Sequence, residues 1–353
     1  MADLLTMTLD TSFERVRVEL DDPFTIARGT QTAVENLIVR VTDEGGMTGI
    51  GGAAPAGRYG ETPETVAAVL PELLAVVEAV GDPHALHEIE SRMRETVRDN
   101  PAARTAVSIA VHDLAAKRLG VPLYRLWGLD PATTPATSYT IGLDTTDTVR
   151  EKAAAAATAG YPILKIKLGT DRDRELVEAV RDAAPDATLR VDANEAWTPR
   201  ETVAKSEWLA DRGVEFIEQP VPADDPEGLR FAYERSALPV AADESCVTLA
   251  DVPAIADRCD IANLKLMKTG GLLEARRMIA TARAHGLEVM LGCMIETNAS
   301  IAAGGQLAPL LDYADLDGSL LLADDPYEGI DLSGGEIRLA DRDEPGTGVR
   351  PND

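Results

Sequence analysis

The chain has seven lysines, and four of them stand in two short apolar runs. Lys165 and Lys167 lie in ILKIKLGT (163–170), and Lys265 and Lys268 in NLKLMKTGG (263–271). An amine inside a strand is costly to bury, charged or neutral. Lys165 and Lys167 are two apart, so both leave an extended strand on the same face. Acids close the runs between and after them. Asp192 stands in LRVDAN, which Asn194 ends, Glu218 precedes Gln219 in VEFIEQP, Asp243 precedes Glu244 in PVAADES, and Asp315 and Asp317 stand in YADLDG.

Three carboxylates at the ends of successive strands repel one another unless a cation joins them. Asp192, Glu218 and Asp243 offer only oxygen, which suits a hard cation, Mg2+ first and Mn2+ second. Such a cation can hold a substrate carboxylate and stabilise the enediolate left when the neighbouring carbon loses a proton. With Lys167 on one side and Lys265 on the other, one amine removes the proton and the other returns it to the opposite face, which inverts the carbon. With one base in use, the same site could instead expel a β-leaving group. Lys165, a cation beside Lys167, is expected to push that amine's pKa down.

These residues need a scaffold that brings strand ends together. Runs at 138–143, 163–169, 189–194, 214–220, 239–245, 261–267, 287–294 and near 313–318 alternate with helical stretches such as RDRELVEAVRDAA. Eight strands in a βα rhythm predict a closed parallel barrel, whose chemistry sits at the C-terminal strand ends. A doubly wound open sheet is the alternative, but its Gly-rich phosphate turn after the first strand is missing. TGG (269–271) alone is a weak sign of a phosphate cradle. Before the barrel, RVRVEL (15–20) and NLIVRV (36–41) read as strands and 62–118 as helices, starting at Thr62 and at Asp82. The expectation is an α/β chain: a (β/α)7β TIM-like barrel over 126–325, an α+β capping domain over 1–125, and a segment, 326–353, returning to the cap, with SGGEIRL as a strand.

The bulk numbers exclude several classes. A net charge of −26 argues against nucleic acid and against anionic membrane surfaces. No apolar run reaches the length of a membrane span, and the start lacks a basic segment followed by an apolar one, so a cytoplasmic protein is expected. Cys246, Cys259 and Cys293 are odd in number and far apart, which predicts free thiols. His84 and His87 read as solvated. The surface is acidic and Lys-poor, with 7 Lys against 27 Arg and 32 Asp. High-salt solubility and codon bias explain that equally well. The partner expected is a small molecule, with a homo-oligomer left open.

KIK (165–167), DANEAW (192–197), EQP (218–220), DES (243–245) and NLKLMKTGG (263–271), in this order and spacing, resemble the enolase superfamily and its muconate-lactonizing subgroup. The resemblance covers almost the whole chain. It implies that Asp192, Glu218 and Asp243 bind Mg2+, that Lys167 and Lys265 form the acid/base pair, and that Lys165 assists. Asn194, Gln219 and Lys268 would support them. No histidine stands at a strand end, which disfavours the mandelate racemase branch. DLDG (315–318) resembles the Asp-x-Asp motif of dipeptide epimerases, in which Asp315 and Asp317 would hold the substrate's ammonium group. IARGTQ (26–31) and RYGE (58–61) resemble the loops that cover the substrate. Arg28 or Arg58 would meet an acidic side chain, although Gln31 stands where an Ala-Glu epimerase would carry a basic residue. Thr140 and residues 296–298 (Glu296, Thr297, Asn298) would line the substrate pocket, Glu296 favouring a cationic residue. The resemblance thus implies a dipeptide epimerase. N-acylamino-acid racemase, o-succinylbenzoate synthase and muconate cycloisomerase are the alternatives, and a non-catalytic ligand-binding barrel is the reading from another class.

Overall fold

The structure, a computed structural model, describes residues 7–352, so the first six residues of the start that was read for a leader lie outside it. Strands β1 (Leu9–Ile26), β2 (Gly29–Asp43) and β3 (Thr48–Ala53) form an antiparallel sheet in that order. Helices α1 (Pro63–Val80), α2 (Leu86–Thr96) and α3 (Pro101–Leu119) cover it. Thr62 starts α1 as expected: its hydroxyl accepts from Thr65 N and Thr65 Oγ1 accepts from Thr62 N, with Pro63 in the first turn. Asp82 does not start α2. It closes a turn onto His84 N, and the helix begins after Ala85. His84 and His87 are exposed.

Helix α3 is rich in Ala and Val and is buried on every side from Ala102 to Ala116. It lies on β3 so closely that a Cβ at Gly49 or Gly51 would stand 2.0 Å from Ala110 O or 2.1 Å from Ala106 O. Only glycine allows that approach.

After the short α4 (Leu123–Leu126) the barrel begins. Its strands are β4 (Tyr139–Ile141), β5 (Ile163–Lys167), β6 (Thr188–Asp192), β7 (Val214–Glu218), β8 (Val240–Ala242), β9 (Ile261–Lys265), β10 (Glu288–Gly292) and β11 (Tyr313–Asp315). They run parallel in sequence order, and a bridge between Thr137 and Ala314 brings the ends of the sheet together. Helices α5 (Thr146–Thr158), α6 (Asp173–Ala183), α7 (Pro199–Asp211), α8 (Pro226–Tyr233), α9 (Asp251–Ile255), α10 (Leu266–Thr269), α11 (Leu272–Ala284) and α12 (Asn298–Gln306) fill the crossovers. This is the α/β architecture the rhythm predicts, a (β/α)7β barrel capped by an antiparallel sheet and helices. Phe216, Ala241, Ile261 and Met290 pack the barrel interior, with the Arg190 guanidinium over Phe216 and Tyr313.

The last stretch differs from expectation. SGGEIRL forms a 3-10 turn, Ser333–Gly335, and β12 (Tyr327–Glu328) pairs instead with β13 (Arg350–Pro351). Thr347 N donates to the buried Asp113 on α3 at 2.7 Å. Among the described residues no helix is long and apolar enough to cross a membrane.

Candidate active site

The parallel register sets the site. Lys167 pairs with Asp192 across β5 and β6, and Asp192 with Glu218 across β6 and β7. The charged ends therefore stand side by side, about 4.8 Å apart in the hydrogen-bonding direction. Lys167 Nζ donates to Asp192 Oδ2 at 2.6 Å. Lys165 Nζ lies 2.7 Å from both Glu218 Oε2 and Asp315 Oδ2, and 3.3 Å from Asp192 Oδ2. Asp243, one residue past β8, receives Lys265 Nζ at 2.8 Å on Oδ2 and Lys268 Nζ at 2.6 Å on Oδ1. Lys268 also donates to the carbonyls of Asp243 and Asn263, at 2.7 and 2.8 Å. All four lysines are buried.

Electrostatics separate the acids. Burial alone would raise Asp192 and Asp243, yet Lys167 and Lys165 hold the first, and Lys265 and Lys268 the second, well below the usual carboxylate range. Burial raises Glu218, and Asp192 adds to it, so its carboxyl reaches about 8. Lys165 and Lys265 are themselves pushed well above the ordinary lysine value. Burial opposes their charge, but Asp315 and Glu218 more than offset it for Lys165, as Asp243 does for Lys265. Lys165 thus stands here as a cation locked to acids.

The residues suit a hard cation, although they are not gathered around one point. Each of the three acids leans on a lysine, and among the described residues no three acid, His or Cys side chains stand close enough together to hold a metal as placed. The fit shows in the unmet acceptors. Glu218 Oε2, Glu244 Oε2, Asn194 Oδ1 and Asn263 Oδ1 are buried without a hydrogen-bond donor. Glu218 Oε2 is near Lys165 in distance but outside hydrogen-bonding angles. Buried oxygens of this kind cost free energy unless something positive reaches them.

Above the strand ends lies a cavity of about 510 Å³. Lys165, Lys167, Lys265, Asn194, Thr140, Asp315, Asp317, Arg28 and Arg58 line it. Lys167 on β5 and Lys265 on β9 stand four places apart in the eight-stranded order, so they face the cavity from opposite walls. Thr140 N donates to Asp317 Oδ2 at 2.5 Å, and Thr140 Oγ1 to Asp315 at 3.5 Å. Burial, with Asp315 close by, pushes the Asp317 carboxyl up to about 7. Asn194 holds Asp192 through its N–H at 2.8 Å. Gln219 Oε1 accepts from Asp243 N at 2.9 Å and Ser245 N at 3.1 Å.

Residues 296–298 are not on the cavity wall. Glu296 turns back onto Ser300 and Met294 N, Thr297 N onto Asn36, and Asn298 onto Asp325. Local bonds claim the Glu296 side chain and Asp325 claims that of Asn298, while Thr297 Oγ1 is buried beside the start of α12 without a partner. Cys293, Met294 and Ile295, just before them, line the cavity instead. The three cysteines are free. TGG is a packing device: a Cβ at Gly270 would meet the Arg104 guanidinium at 2.5 Å, and one at Gly271 the Glu90 carboxylate at 2.8 Å.

Sequence reasoning missed Glu195. It binds Arg58 at 2.8 and 2.7 Å and Arg28 at 3.2 Å, and Arg28 also reaches Glu244 at 2.7 Å. Asn194, Glu195 and Gln219 carry φ of 45°, 70° and 34°. Non-glycine residues held left-handed cluster at functional sites. The one signal was Asn194, since Asn tolerates that backbone.

The chain matches the family described as "Mandelate racemase / muconate lactonizing enzyme, N-terminal domain" over residues 9–128 and "Enolase C-terminal domain-like" over 148–353. It is 40% identical to the L-Ala-D/L-Glu epimerase of Bacteroides thetaiotaomicron over 96% of this chain and 87% of that one. It is 39% identical to a hydrophobic dipeptide epimerase of Roseobacter litoralis, over 92% and 94%. The crystal structure of a dipeptide epimerase from Methylococcus capsulatus, complexed with Mg and the dipeptide L-Arg-D-Lys, superposes with a TM-score of 0.89 at 34% identity, covering 97% of this chain and 99% of that one.

Proposed function

The chain belongs to the mandelate racemase/muconate lactonizing enzyme family of the enolase superfamily, as an isomerase of the racemase and epimerase kind, and from that premise we propose that it epimerises dipeptides at the α-carbon of the C-terminal residue. The observation that carries the reading is the pair Lys167 and Lys265, on opposite walls of one cavity and each paired with a different strand-end acid.

Asp192, Glu218 and Asp243 would hold Mg2+, and Mn2+ fits the same donors. When bound, the ion supplies a positive charge for the substrate carboxylate and for the charge left when the α-proton departs. The lysines do the rest. One amine, freed of its proton, takes the α-proton from its face. The other, as the ammonium, returns a proton to the opposite face. The roles exchange in the reverse direction, as general acid–base catalysis requires. Lys165 holds Glu218 and Asp315 in place. Lys268, with three bonds, fixes Asp243 and through it Lys265. Asp317, with Asp315, would receive the substrate's ammonium group and set the distance from it to the reacting carbon.

One observation favours the neighbouring activities. Asp315 already carries the Lys165 ammonium, which weakens it as an ammonium site. N-acylamino-acid racemase, o-succinylbenzoate synthase and muconate cycloisomerase substrates lack that group.

The test is incubation with Mg2+ and pooled L,L-dipeptides in D2O, read by mass spectrometry. A one-dalton gain on some dipeptides supports the reading. No gain on any, with exchange of N-acylated amino acids, replaces it by the racemase.

A further inference from the structure

Arg28 and Arg58 face the cavity from two separate capping loops, and neither is free. Arg58 holds Glu195 with both prongs of its guanidinium, Nε to Oε2 at 2.8 Å and Nη2 to Oε1 at 2.7 Å. Arg28 bridges Glu195 at 3.2 Å and Glu244 at 2.7 Å. The carboxylate between them is built into the barrel. Its side chain is only 12% exposed, its Oε1 accepts from Ala223 N at 2.8 Å, and its own N–H donates to Gln219 O at 2.8 Å. A glutamate gains nothing from a φ of 70°, so the surrounding structure imposes it.

We propose that Glu195 is a specificity-determining residue: it occupies the arginine pair that would otherwise take a substrate's acidic side chain, so that the cavity selects dipeptides with uncharged, apolar side chains. This rests on the dipeptide reading above. The remaining cations on the wall, Lys165, Lys167 and Lys265, are each bound to strand-end acids. Gln31 brings no charge, and Phe24, Ile26, Met294, Ile295 and Leu321 supply apolar surface. An incoming carboxylate must therefore displace Glu195 from a two-pronged bond or lose its water without a partner. Either penalty discriminates against it. An apolar side chain meets neither.

The experiment compares kcat/KM for L-Ala-L-Leu and L-Ala-L-Glu, by α-proton exchange in D2O with Mg2+, in the wild type, E195Q, E195A and E195D. The wild type is expected to prefer the leucine dipeptide. E195Q frees Arg58, while Arg28 keeps Glu244 at 2.7 Å, and is expected to shift the ratio toward the glutamate dipeptide by about tenfold or more, the scale of one charge-assisted bond. E195D restores a carboxylate and the wild-type preference. E195A removes the same group and serves if E195Q melts as an unfolded protein. A wild type that prefers the glutamate dipeptide overturns the proposal. So does an equal loss on both substrates, which would make Glu195 only a support for the loops. A wild type silent on these two and on the pooled L,L-dipeptides overturns the dipeptide reading and this inference with it; silence on these two alone, with exchange of a charged dipeptide from the pool, overturns this inference alone. Exchange of both, with the ratio unmoved, overturns this inference alone.

Discussion

Lys165 Nζ stands 2.7 Å from Glu218 Oε2 and 2.7 Å from Asp315 Oδ2, so one ammonium ties an acid at the end of β7 to an acid at the end of β11. Those two acids serve different tasks in the proposed chemistry, one toward the cation and one toward the substrate's ammonium. Lys165→Met should disturb both. The expected result is a higher KM for dipeptides and weaker Mg2+ binding together, measured by kinetics and by titration calorimetry. A change in one without the other would break the link.

Because Lys165 already compensates Asp315, Asp317 is left to carry much of the substrate's ammonium. Its carboxyl, raised by burial and by Asp315 to about 7, must ionise to do so. In the free enzyme kcat/KM for dipeptides should therefore rise with pH through about 7. Asp317→Asn should remove that limb and lower kcat/KM by about tenfold or more, the scale of a lost bond to a charged group. A profile flat from pH 6 to 8 in the wild type would contradict the assignment.

Lys167→Met and Lys265→Met should each lower epimerisation by about 10²- to 10⁴-fold, as loss of a general acid–base does. The two should differ in one respect. Each variant keeps a single base, so each should still exchange the α-proton of one epimer in D2O without inverting it. Proton NMR of L,L- and L,D-dipeptides reads this directly. Exchange of the same epimer by both variants would show that the lysines do not act on opposite faces.

Burial and Asp192 raise Glu218 to about 8, so its ionised form gains from a bound cation. A ligand that binds only the folded state stabilises it by about 2.7 kcal/mol at a hundredfold excess over Kd. Added Mg2+ should therefore raise Tm, and EDTA should reverse the rise. Glu218→Gln should abolish the shift while melting normally without metal.

Away from the site, Glu61 accepts from Ala102 N at the start of α3, and burial lifts its carboxyl to about 7. A carboxyl raised above its unfolded value of 4.5 binds its proton more tightly when folded. Stability from this group is thus lost as pH rises from about 4.5 to 7. Glu61→Gln should flatten that part of the pH–stability curve in urea denaturation. An unchanged slope would show that another group sets it.

The sequence by itself determined the barrel and the strand ends at which its lysines and acids stand, for physical reasons. Apolar runs alternating with polar-faced helices leave few solutions besides a parallel barrel, and lysines and acids at the ends of such runs are too costly to be incidental. Lys165, Lys167, Lys265, Asp192, Glu218 and Asp243 could be picked out because period two and strand order fix which side chains share a face. What only the tertiary structure decided was pairing. Periodicity does not tell that Lys165 spends its charge on Asp315, that Glu195 takes both loop arginines, or that Glu296 turns onto Ser300. The first depends on barrel closure, which brings β5 near β11; the other two depend on loops, where the backbone obeys no period and where residues up to 216 positions apart compete for the same bonds. The Arg28–Glu195 contact joins a capping loop to a barrel loop, and only the packing of one unit on the other brings the two within reach.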